Sequence, residues 1–154
     1  MYATPMSDDD ASAAVETQVA LLLRLADRNR RATTRLSTTL ERSAYLALRL
    51  LDTTGPAGIN EIADHLRLDA STVTRQVLAM EAAGYVTRER DVHDGRRAVV
   101  TTTPAGTAAL AETRAARAEV YADILADWSP DDRRQLATLL TRLNDDLDAH
   151  ATRT

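Results

Sequence analysis

Apolar positions along the chain switch between a helical period and an alternating one, and the switches mark out the elements. The first ten residues are polar and acidic and are expected to form a disordered tail. From Ala11 the spacing is helical, with Val15, Val19, Leu22 and Ala26 on one face, and it fades in the polar run 29–35. Thr38-Thr39-Leu40-Glu41 reads as a capping box opening a second helix through Leu51, which the run from Asp52 to Gly58 breaks. Asn60 is the expected cap of a short helix carrying Ile62, Ala63 and Leu66. Asp69 is the expected cap of the next, with Val73, Val77 and Met80 on its inner face and Gly84 at a left-handed stop.

The period then drops to two. YVTRERD and RRAVVTTT are rich in Val and Thr, and Asp94-Gly95 between them is a hairpin turn signal. Thr103-Pro104 restarts a helix bearing Leu110, Val120, Ile124 and Leu125, reaching to about Trp128. Ser129-Pro130-Asp131-Asp132 repeats that start signal, with carboxylates at the positive end of the helix. The last stripe is Leu136, Leu139, Leu140, Leu143 and Leu147. The expected order is α-α-α-α-β-β-α-α, with room for a short strand near residues 57–59. Two short helices joined by a tight turn and followed by a hairpin make a winged helix-turn-helix. The fold class is therefore mainly α with a small β-hairpin.

Composition removes several classes of function. There is no cysteine, so disulfides, thiol redox sensing and thiolate-bound metals are absent. No apolar run approaches the roughly 20 residues that span a bilayer, and no signal-like start is present, so a cytoplasmic protein without a membrane partner is expected. No glycine-rich phosphate loop occurs, and His65, His93 and His150 are scattered, which argues against an enzyme. Asp146 and His150 lie one turn apart, but a surface pair is the simpler reading, and neither metal nor cofactor is expected.

Charge sharpens the picture. The net charge is −4, yet all 19 basic residues are arginine, each a permanently charged planar fork suited to phosphate. Residues 24–49 hold seven Arg against Asp27 and Glu41, a balance of +5, whereas residues 104–154 stand at −3. Residues 55–103 carry six Arg and seven acids, so any polyanion contact there rests on placement. On the helix after Asp69 the outward positions include Ser71, Thr72, Thr74 and Arg75. Hydroxyls there suit phosphates or base edges, and Arg75 suits guanine O6 and N7. The helix start offers N–H groups to a phosphate. Arg96 and Arg97 project from the hairpin turn, where one of them suits the narrow minor groove. This requires Glu61, Asp64 and Glu81 to turn away from the DNA.

These residues together resemble the MarR family of bacterial transcription regulators from about Ala11 to Leu147. The carrying stretches are NEIADHL, then DASTVTRQVLAMEAAGYV, then RERDVHDGRRAVVTTTPAG. The resemblance implies a single domain over 11–154, with the winged helix-turn-helix at about 55–103 and dimerisation helices at about 11–35 and 104–150. It places Ser71, Thr72, Thr74 and Arg75 in the major groove and Arg96 in the minor groove, with Asp94 orienting nearby arginine. Two residues depart from the pattern: Arg67 stands where glycine often closes the first helix, and Thr102 where an apolar residue usually anchors the wing. The implied protein is a homodimer that reads a pseudo-palindromic operator in double-stranded DNA, as a ligand-responsive repressor. Its ligand contacts are open: Tyr45 and Arg49 on the 41–51 helix could line a small-molecule effector pocket, but a partly exposed helix face is the simpler reading of both. The homodimer also has support from the leucine-rich ends, whose stripes exceed what a small lobe can cover. The alternative is a winged-helix protein–protein adaptor that does not bind DNA.

Overall fold

The computed structural model describes residues 7–33, 36, 39–90, 98–151 and 153. Its elements are α1 (Asp8–Ala32), α2 (Arg42–Thr54), β1 (Ala57–Gly58), α3 (Ile59–Leu66), α4 (Ala70–Ala82), β2 (Val86–Arg90), β3 (Ala98–Thr102), α5 (Pro104–Ile124) and α6 (Pro130–Ala151). Contacts gather Met1–Ala116 into one compact unit and Arg117–Thr154 into a second. Among the described residues no helix is long and apolar enough to cross a membrane.

Within the first unit, the core is built from the inner faces of short elements. Leu48, Ile62, Val73, Val77, Val86, Val100 and Leu110 are fully buried, contributed in turn by α2, α3, α4, β2, β3 and α5. The sheet order is β1-β3-β2, antiparallel throughout. Val86 faces Thr102 and Arg90 faces Ala98, while β1 adds Ala57 opposite Val100. The short strand expected near 57–59 is therefore present.

Caps fix most boundaries. Asp69 accepts from the Thr72 N–H at 2.8 Å, and Thr103 Oγ1 accepts from Gly106 N at 3.1 Å. Ser129 Oγ likewise accepts from Asp132 N at 3.1 Å. All three agree with the sequence expectation. Helix α4 closes at Gly84, whose φ is +79°, with Gly84 N bonded to Glu81 O and Tyr85 N to Met80 O. That paired 5→2 and 6→1 arrangement is the Schellman motif. Helix α3 closes with the same two bonds, Arg67 N to Asp64 O and Leu68 N to Ala63 O, but with arginine at φ 52°. The left-handed conformation costs an L-residue with a Cβ about 1–2 kcal/mol.

Four expectations need correction. Helix α1 starts at Asp8 because Ser7 caps it through Asp10 N (3.2 Å) and three aspartates fill its first turn. Helix α2 runs on to Thr54, since only Gly55, at φ 83°, stops it. Helix α3 is capped at Gly58 rather than Asn60, because the chain passes straight out of β1 and Glu61 reaches back to accept from Gly58 N at 2.7 Å. Glu41 is itself the N-cap residue of α2, and its side chain makes no capping hydrogen bond; its carboxylate faces Arg30 Nη1 at 3.3 Å. Thr38, its expected capping partner, lies outside the described residues.

Thr103 joins the end of α4 to the start of α5. Its hydroxyl donates to Gly84 O (2.6 Å) and its N–H donates to Tyr85 O (3.0 Å). Gly106 packs so closely behind that a Cβ there would sit 2.1 Å from Tyr85 O. Thr102 fills the wing base in part: its methyl approaches Gly106, while its hydroxyl oxygen is buried without a partner among the described residues. Thr113, itself buried, accepts from Leu40 N at 3.1 Å and so ties α5 to the approach of α2.

Candidate nucleic-acid interface

Helix α4 divides cleanly into two faces. Val73, Val77 and Met80 are buried, and Ser71, Arg75, Leu78 and Ala82 form an exposed line on the opposite side at i, i+4, i+7 and i+11. Thr72 and Thr74 sit on the flanks, half-buried. Arg75 is thus central on the open face, and it makes no ion pair with any described acid. Each residue expected to line a groove on α4 is on or beside this face.

The hydroxyls behave differently from expectation. Ser71 Oγ donates to Asp69, and Thr72 Oγ1 donates to the other carboxylate oxygen at 2.6 Å. Thr74 Oγ1 donates to Ala70 O at 2.7 Å. Each hydroxyl proton is engaged by Asp69 or Ala70, which leaves the oxygens accepting rather than donating capacity. The expectation of free N–H groups at the helix start is also reduced, because Asp69 takes the Thr72 N–H. These bonds from Ser71 first, and then Thr72, hold the Asp69 carboxyl well below the usual carboxylate range. Asp69 is therefore a fixed anion at the mouth of the helix. A cap residue is legible from sequence, but that two neighbouring hydroxyls would turn onto it is not.

Two of the three acids that must turn from the groove are engaged, while Asp64 is exposed on α3 and makes no ion pair with a described arginine. Glu81 is met by Arg88 of β2, whose Nε and Nη2 lie 2.8 and 2.7 Å from Glu81 Oε2, a charge-assisted pair that also fixes the wing against α4. Glu61 is spent on Gly58 N. In the arginine-rich segment, Arg42 faces Asp27 at 2.9 Å and Arg30 faces Glu41, so these two guanidinium groups serve α1–α2 contacts. Asp94, Arg96 and Arg97 lie outside the described residues, as does His93. Asp146 faces Arg142 at 3.9 Å, and no group of three or more His, Asp or Glu among the described residues is placed to hold a metal.

Beside the open face lies a cleft of about 460 Å³ between α4 and the start of α2. Thr72, Arg75, Gln76 and Ala79 form one wall, Leu40, Glu41, Ser43 and Ala44 the other, with Tyr85 at one end. The Gln76 Oε1 atom is buried with no partner among the described residues. Tyr45 and Arg49 do not line this cleft; Tyr45 packs against the core and Arg49 is exposed. Both sit as expected for a partly exposed helix face.

A two-helix unit with a capped outer helix, a wing tied to it and an open face bearing arginine defines a winged helix-turn-helix module. Known proteins agree. The MarR family model matches residues 40–98. The chain is 41% identical over 105 residues to the uncharacterized HTH-type transcriptional regulator YxaD of Bacillus subtilis (strain 168), covering 68% of this chain and 73% of the relative. A probable transcriptional regulator from Pseudomonas aeruginosa, known from a crystal structure, is 32% identical with TM-score 0.67, over 84% of this chain and 98% of that one. A MarR family protein from Bacillus stearothermophilus has the same fold at TM-score 0.75 and 22% identity, over 92% and 98% of the two chains. The chain belongs to the MarR family, whose members are transcriptional regulators with a DNA-binding winged helix.

Proposed function

We propose that this regulator is a homodimeric repressor that binds a pseudo-palindromic operator through α4 and the wing. The observation that carries the reading is Arg75: an exposed guanidinium, without an acidic partner among the described residues, on the middle of the outward face of α4. A bidentate fork onto guanine is worth roughly 1–3 kcal/mol of discrimination. Ser71, Thr72 and Thr74 flank it as acceptors suited to the amino groups of adenine or cytosine. Arg96 and Arg97 at the wing tip add minor-groove contacts, with Asp94 orienting them. Two such modules read half-sites about 34 Å apart when the chain pairs through α1, α5 and α6. Support for pairing comes from the leucines left open on α1 and α6, Leu22, Leu25, Leu139 and Leu147 among them. The cleft between α4 and α2 houses a small-molecule effector. Because Arg75 and Thr72 belong to both cleft and groove face, an occupant there lowers operator affinity.

A second reading, the adaptor without DNA binding, draws on the exposure of Leu78 on the same face. Selection of bound duplexes from a random pool separates the two. An enriched inverted repeat supports the repressor, and Arg75→Ala should then weaken binding about tenfold or more at fixed salt, with the fold unchanged. No enrichment favours the adaptor.

A further inference from the structure

The line Ser71, Arg75, Leu78, Ala82 ends in apolar side chains, although it is the face turned outward from the core. Leu78 is 44% exposed there, one turn beyond Arg75. Its polar neighbours on the helix, Arg75 apart, are Thr74 and Glu81, and both are engaged. Thr74, on the flank, has its hydroxyl turned onto Ala70 O, which leaves its methyl as the remainder of the side chain. Glu81, the next polar residue along the helix, is held by Arg88. The surface beyond Arg75 is therefore apolar in what it offers, and a leucine facing a groove meets either water or an apolar part of a base.

DNA presents one such part in the major groove, the C5-methyl of thymine. We infer that Leu78, with the Thr74 methyl beside it, is a specificity-determining patch that reads thymine methyl groups next to the base pair read by Arg75. Position follows from helix geometry. Three residues advance about 4.5 Å along a helix, against about 3.4 Å per base step, so the thymine stands one to two base pairs from the guanine. The apolar contact also accounts for an exposed leucine on a helix whose other outward side chains are small or charged. The inference rests on the proposed DNA binding and adds the identity of a base to it.

The test removes nothing but methyl groups. With the selected operator in hand, each thymine is replaced in turn by deoxyuridine, which keeps the pairing and loses the C5-methyl. Replacement at a thymine one or two pairs from the Arg75 guanine should weaken wild-type binding about three- to fivefold, the expected value of one buried methyl. Leu78→Ala should weaken binding to the thymine operator and bind the thymine and deoxyuridine duplexes equally. If wild type binds every deoxyuridine duplex as tightly as the parent, the inference is wrong while DNA binding stands. Full thymine preference retained in Leu78→Ala would likewise overturn it. A pool that yields no operator removes both this inference and the reading beneath it.

Discussion

The winged lobe and the final helix spend the same amino acids in opposite ways. In the lobe, elements as short as five residues bury Ile62, Val73, Val77 and Val100 completely, and the sheet, α3 and α4 close one core within a single chain. Helix α6 is 22 residues long and carries five leucines on its sequence stripe, yet none of its residues is buried, and Leu139 and Leu147 stand 54% and 56% exposed. Helix α1 resembles α6, with Val15, Leu22, Leu23 and Leu25 all more than half exposed. Open stripes of this size on two long helices support the proposed pairing, which would cover them. The contrast separates a lobe whose core closes within one chain from two long helices whose apolar stripes stand open.

The sharpest way to break this contrast is to charge the open stripe. Leu139→Asp with Leu147→Asp should abolish pairing, so that light scattering gives the mass of one chain where wild type gives two. An unchanged mass would make the stripe an ordinary surface. The next effect lies in the lobe. Gly106→Ala forces a Cβ into the Tyr85 carbonyl and should cost about 2–3 kcal/mol, read as a lower urea midpoint with unchanged slope.

A smaller effect has the opposite sign. Arg67→Gly relieves the left-handed strain at the end of α3 and should raise stability by about 1 kcal/mol. Failure to stabilise would show that the Arg67 side chain repays its backbone. The smallest change is a pH dependence. The Asp69 carboxyl lies below its ordinary value in the folded chain, so it contributes stability above about pH 4 that is lost progressively as pH falls below that. Asp69→Asn keeps a cap but not the charge, and should flatten the acid limb of a stability–pH curve. An identical limb in both proteins would separate Asp69 from acid unfolding.

How legible this was depended on the range of the interaction. Asp69, Thr103, Ser129 and Gly84 act on backbone within a few residues, and each does in the structure what its sequence position implies. Asn60 misled because β1, which needs β3 some 40 residues later, brings the chain into α3 already at Gly58. The Glu41 carboxylate is claimed by Arg30 on another helix, a partner no local rule supplies. The outward face of α4 was readable from its period. The direction of each hydroxyl on it was not, because two oxygens of one aspartate decide that between them.

The strand order β1-β3-β2 settles which backbone is left open to strangers. Strand β3 is flanked on both sides, the two-residue β1 forms one edge, and the longer edge is β2, where Arg88, Glu89 and Arg90 follow one another in the exposed stretch. An incoming strand from another molecule would have to seat itself against consecutive charges of both signs, a poor template for cross-β growth. The lobe therefore keeps its longer free hydrogen-bonding rim guarded against polymerisation.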